Sequence, residues 1–192
     1  MTQQATPSNE SRKLIIKGQD KILELFYSGV KEFHKHDSWF GCTVGFRALQ
    51  AASGILSQQS TWAREHLYVV TGIPGQGVLD AIEYVTRCIS AERFALLPVV
   101  RGNDYTTRDM RFEWWISNGR GTVHVTLRPE LVPESFYDLL NRLRAGLGTE
   151  EEKHAFKQFK ADMGTKLWTM SLSSIFLVEH SSEPLAVGAI PD

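Results

Sequence analysis

The sequence predicts an α+β domain, with helices packed on a small, mostly antiparallel sheet. Three observations carry that expectation. Two alternating segments, Met110 to Ile116 and Thr122 to Leu127, flank Asn118-Gly119, the favoured pair for a tight hairpin turn. Several longer stretches step their apolar residues by three and four, as helices with one buried face do. The apolar run Leu67-Tyr68-Val69-Val70 then leads through a glycine-rich loop into another helical stretch.

Taken in order, residues 1–10 are polar and lack an apolar core, so they predict a flexible segment over 1–18 and no secretory signal. A single domain is expected over 19–180, with a loosely held tail over 181–192. From Gln19, the spacing of Ile22, Leu25, Phe26, Gly29, Val30 and Phe33 predicts a helix ending near His36. Asp37-Ser38 would cap a second helix, with Val44, Ala48, Ala51 and Ile55 on one side, running to about Ser57. Leu67 to Val70 reads as a buried strand, and a helix follows Gly77 through about Arg87. The loop between them, Thr71 to Gly77, lacks Gly-Lys-Ser/Thr and a complete Gly-x-Gly-x-x-Gly, so a connecting turn is favoured over an anion cradle. Phe94 to Val100 predicts a strand in which Pro98 marks an edge or bulge.

A turn at Asn118-Gly119 would place Trp114 opposite Val123 and Phe112 opposite Val125 on the inner face. On the outer face it would set Glu113 opposite His124, a half-exposed contact before it is an acid–base pair. Phe136, Leu139, Leu140 and Leu143 predict a helix closed by Gly146-Leu147-Gly148. Thr149 with Glu152 forms a capping-box signature opening a long helix through Phe156, Phe159, Met163 and Leu167. Phe176-Leu177-Val178 reads as a last short strand or a helix end.

Composition narrows the function classes. A formal net charge of -1 with no Lys/Arg run argues against a nucleic-acid partner. No apolar run approaches the ~20 residues of a membrane helix. Two cysteines, Cys42 and Cys88, without a Cys-x-x-Cys, make no disulfide framework and set a reducing, cytoplasmic location as the expectation.

The chemistry-bearing stretch is Phe33-His34-Lys35-His36-Asp37 followed by Cys42 and Arg47. A His-x-His step is too short for one helical face and fits a helix end, where both rings can enter one cleft. Histidines there also interact with free carbonyls and the helix dipole, which is their commoner use. Gly41, Gly45, Ala48 and Ala52 form a small-residue stripe that admits a close neighbour. With the aromatic surplus, the stripe makes a homodimer contact an expectation. Trp39, Phe40, Phe46, Trp114 and Trp115 could equally be core, or line an apolar cleft for a haem with a histidine axial ligand. Arg47 could pair with a core acid or bind a ligand's carboxylate or phosphate.

The stretch resembles the signature of the FmdE family, named for a component of formylmethanofuran dehydrogenase, roughly Phe-His-Gly-His-x-Cys-Pro-Gly-x-x-x-Gly-x-Arg. Phe33, His34, His36, Gly41, Gly45 and Arg47 match it. A second block, Cys-x-x-Asp-Ala-Ile-Gln followed by Thr-Gly-Cys in the family, is met by Gly77-Val78-Leu79-Asp80-Ala81-Ile82-Glu83 and Thr86-Arg87-Cys88. The resemblance covers about residues 20–125. Ser38-Trp39-Phe40 replaces the family's Cys-Pro with one residue extra, Gly77 stands at its middle cysteine, and the C-terminal paired cysteines of many members are absent.

The resemblance implies a metal- or metallocofactor-binding core domain, enzymatic or accessory. Its metal ligands would be His34, His36 and Cys88, for a zinc-like transition metal, with Cys42 able to stand in for a missing cysteine. Arg47, on the signature's arginine, would contact a cofactor, and Asp80 would orient a ligand from behind; Trp39, from the aromatic supply and not from the resemblance, is a further candidate cofactor contact. Cys88 with a histidine as a nucleophile–base pair ranks lower. The alternatives are a module for haem or a small apolar ligand, and a structural component without a working site.

Overall fold

A computed structural model describes residues 12–35, 39–58, 62–102 and 104–191. His36 and the Asp37-Ser38 cap lie outside those residues. A hairpin of β1 (Lys13–Lys17) and β2 (Ile22–Phe26) leads straight into α1 (Tyr27–His34) and then α2 (Trp39–Leu56). The main sheet comprises β3 (Tyr68–Gly72), β4 (Phe94–Leu96), β5 (Arg111–Ser117), β6 (Thr122–Leu127) and β7 (Phe176–Ser181), in the order β4-β3-β5-β6-β7. Only β3 and β4 run parallel, joined by α3 (Gln76–Thr86) as crossover; the other pairings are antiparallel. α4 (Glu134–Arg144), α5 (Glu150–Thr169) and the short α6 (Leu172–Ile175) complete the chain. The protein is α+β, as expected. Among the described residues no helix is long and apolar enough to cross a membrane.

α2 is the organising element. Twelve of its residues are buried on all sides, from Phe40 to Leu56, which is the pattern of a helix inside a core rather than on its surface. It packs on α3, α5 and the inner sheet face. Its small residues set how close α3 can come. A side-chain carbon at Gly41 would lie 3.2 Å from Gly77 Cα, and one at Gly45 would lie 3.1 Å from Ala81 Cβ. The stripe that suggests a homodimer contact is therefore spent within the chain. The two blocks carrying the family resemblance are the two that meet here.

Four sequence expectations need correction. The flexible segment expected over 1–18 contains strand β1 at Lys13–Lys17, paired with β2 and burying Leu14 and Ile16. The helix expected from Gln19 is β2 over its first part, because Leu14 and Ile16 bury alternate positions of β1 and recruit Ile22–Phe26 as a partner. Its helical spacing is real only from Tyr27. The β5–β6 turn centres on Gly119-Arg120, one residue later than the Asn-Gly pair suggests. Asn118 N–H donates to Gly121 O at 3.2 Å, and Gly119 holds φ +78°, a requirement at the first central position of this turn type. Trp114 consequently faces Val125, and Ile116 faces Val123. Shifting the turn centre by one moves each partner by two, so every side chain keeps its predicted face. Trp115 now lies opposite His124 and stacks on it at 4.3 Å, while Glu113 reaches the same ring diagonally at 3.6 Å. Lastly, the tail is anchored. Tyr68 Oη donates to Ala189 O at 2.8 Å, and Leu185 and Ile190 cover Tyr68, Val70, Leu97 and Val100 on the outer sheet face.

Candidate functional site

α1 ends at His34, where Lys35 turns the chain with φ +57°. That stop directs the imidazole inward, to 4% exposure. Its Nδ1 lies 2.7 Å from Asp80 Oδ2, on the second turn of α3. Gln76, one turn earlier, donates to the other carboxylate oxygen at 2.6 Å, so the acid is held from both sides. Trp39 flanks the ring edge-on at 6.2 Å, with the Lys31 ammonium 4.9 Å above the indole.

His34 forms part of the wall of a cavity of about 350 Å³. The rest of the lining is mostly apolar, drawn from the start of α2, the β3–α3 loop, β5, α4 and α5; Phe40, Met110, Phe112, Phe136, Leu140 and Phe156 supply its bulk. The aromatic residues interlock, with Phe136 touching Phe40, Phe112 and Phe156 at ring-centre distances of 5.4 to 6.3 Å. Lys160 reaches the same cavity with its ammonium 4.6 Å over the Phe156 ring, and burial lowers its pKa. No carboxylate lies within 4 Å of it among the described residues. An apolar chamber with a few polar groups converging on it is the usual form of a small-molecule site. An imidazole held by a carboxylate can accept or donate a hydrogen bond, pass a proton, or serve as a metal ligand.

The other expected site residues lie elsewhere. Cys88 sits past the far end of α3, its thiol donating to Leu67 O at 3.3 Å. From Asp80 to the end of that helix is already about 9 Å at the rise of an α-helix, so His34 and Cys88 do not meet. Arg47 lies nearly two turns along α2 from Gly41 and faces a different cavity. Cys42 is close to the His34 site but behind it: its sulfur is 3.2 Å from where a side-chain carbon on Gly77 would stand. That sulfur fills the space a residue larger than glycine would need at 77. Among the described residues no three of His, Cys, Asp and Glu gather as a metal's ligand set.

No family model matches the chain, and no curated protein matches it.

Both thiols are buried and free of disulfides. Burial, and after it the negative charge of Asp80, pushes the Cys42 thiol up to about 12, and burial raises that of Cys88 too. Metals and electrophiles take the thiolate. Both cysteines are thus expected to resist an aromatic disulfide reagent at neutral pH and to react on unfolding; a rapidly labelled thiol in the folded protein would contradict this burial. The same shifts set the alkaline behaviour. Folding holds the protons of Cys42 and Tyr27 to about 12, above their ordinary 9.0 and 10.0. The unfolded chain releases them first, so the stability these two groups contribute is fully present below pH 9 and is lost as pH rises toward 12. Arg47, pushed down to about 10 by burial, opposes that fall above pH 10. Denaturation midpoints against pH should show the decline, with Cys42→Ala flattening its onset; a flat profile in the unmodified protein would refute it.

Proposed function

We propose that this protein binds a small molecule with a ring-sized apolar body and an acidic or hydrogen-bonding head, using the His34–Asp80 pair as its polar anchor. The observation that carries the reading is the meeting, in one cavity of about 350 Å³, of an aromatic wall with a carboxylate-held imidazole. Lys160 favours an anionic head, since its ammonium has no carboxylate within 4 Å among the described residues. Two free thiols favour a reducing compartment such as the cytoplasm.

The test is a titration with benzoate, phenylacetate and indole-3-acetate, each beside its neutral amide, followed by thermal stabilisation. The acids should stabilise the protein more than the amides, and Lys160→Gln should erase that preference. Leu140→Trp, which fills the chamber from α4, should abolish stabilisation while the folded state persists. Equal stabilisation of the Leu140→Trp variant would remove the cavity from consideration.

A second reading is a metal or haem bound through His34, with His36 beside it in sequence. It is favoured by one feature: Asp80 holds Nδ1, as carboxylates do behind metal-bound imidazoles. The resemblance to the FmdE signature supports the same reading. Elemental analysis and a visible spectrum of untagged protein separate the two: stoichiometric metal or a Soret band, lost in His34→Ala, would favour the second.

A further inference from the structure

We infer that a second site, on the flank of α2 away from the aromatic chamber, takes a small oxyanion, a phosphate or carboxylate group, on the guanidinium of Arg47. The inference does not depend on the ligand proposed for the His34 cavity.

Arg47 lines an open cavity of about 510 Å³ together with Lys13 and Ile15 of β1, and Gln50, Ser53 and Gly54 of α2. It is only 6% exposed. One of its terminal N–H groups donates to Met170 O at 2.5 Å, and its guanidinium carbon lies 5.0 Å from the Trp168 ring centre. Its Nε is closed off from solvent and has no hydrogen-bond partner, so an oxyanion entering from the cavity meets the terminal N–H groups first, and no carboxylate lies within 4 Å of the guanidinium among the described residues. Arg12 lies 5.0 Å from the same indole, also with an unpartnered Nε among the described residues. Lys13, next to it in sequence and on the cavity wall, lies 3.6 Å from Glu24. Lys13 is thus paired and Arg12 lines a separate cavity, so the guanidinium of Arg47 is the cation that this cavity presents without a carboxylate within 4 Å among the described residues.

A cation withdrawn from water is costly unless an anion or several acceptors replace the lost hydration. The carbonyl at the end of α5 and the indole face supply part of that compensation. Neither uses the remaining donors of the fork, and a planar fork matches two oxygens of a carboxylate or phosphate at once. Burial lowers the Arg47 pKa only to about 10, so the group is charged at neutral pH. Lys13, Gln50 and Ser53 line the cavity beside it.

Gly54 gives a probe that leaves Arg47 untouched. It is seven residues along the same helix, on the same face and at the cavity rim, and a side chain there meets nothing within 4 Å. The experiment follows the Arg47 Nε–H resonance in chloride-poor buffer during separate titrations with inorganic phosphate and acetate. The unmodified protein should show a saturable shift with at least one probe, and the tighter probe identifies the head group. Gly54→Glu should weaken that binding at least tenfold by competing for the guanidinium, while Gly54→Gln should leave it within twofold. Arg47→Gln should abolish it; if that variant does not fold, the Gly54 pair decides alone. No saturable shift with either probe overturns the inference. So does binding that Gly54→Glu leaves unchanged, which marks an adventitious ion only.

Discussion

Gly77→Val is expected to destabilise the protein by about 3 kcal/mol. The first carbon of any side chain at 77 would stand 2.9 Å from Cys42 N and 3.2 Å from both Cys42 Sγ and the Gly41 carbonyl carbon. Two of those three atoms are backbone inside α2, so no rotamer change can clear them. The gain from replacing a helical glycine is at most about 1 kcal/mol, and the overpacking term exceeds it. Gly54→Ala tests the opposite balance, because nothing lies within 4 Å of the new carbon; it should stabilise by about 0.5–1 kcal/mol. Urea denaturation of the two variants should move the midpoint in opposite directions. A neutral Gly77→Val would mean that α2 and α3 do not pack as described.

Asp80→Leu is expected to cost about 1–3 kcal/mol, because the buried Nδ1 of His34 loses its acceptor. The side chains are 2% and 13% exposed, so water does not readily replace the carboxylate. If the cost lies in that lost partner, then His34→Leu combined with Asp80→Leu should cost clearly less than the sum of the single changes. Additive losses would show that the two side chains are not coupled. Asp80→Asn, which keeps the shape and one acceptor oxygen, separates charge from geometry. It should retain most of the stability.

Much of the fold is legible in local patterns. The Thr149–Glu152 capping box forms as its signature predicts, with Glu152 N–H donating to Thr149 Oγ1 at 3.1 Å and Thr149 N–H to Glu152 Oε2 at 2.9 Å. α3, α4 and β3 follow from their spacing. The β1–β2 hairpin is not legible, since Ile22, Leu25 and Phe26 satisfy a helical spacing and only the pairing with β1 decides. At the site, the position of His34 at a helix end is visible in the chain itself. Asp80 is marked as an orienting group by the family resemblance, while nothing in the pattern marks Gln76. The chamber is invisible: Phe112, Phe136, Phe156 and Lys160 come from β5, α4 and α5, and each reads as an ordinary core or surface residue until the helices close over one another. Cys88 rests on its motif position, and the length of α3 separates it from His34.

A ligand held beside His34 and Asp80 would be felt first by the side chains that line the chamber. Isotope-labelled methionine methyls, with the His34 ring nitrogens labelled as well, test this most directly during titration with the tightest ring-bearing acid. Met110 lines the chamber, whereas Met163 is packed in the core and does not line it. The Met110 methyl and the His34 ring should move together along one saturation curve while Met163 stays still. Movement of Met163 without Met110, or a His34 ring unaffected at saturation, would contradict it.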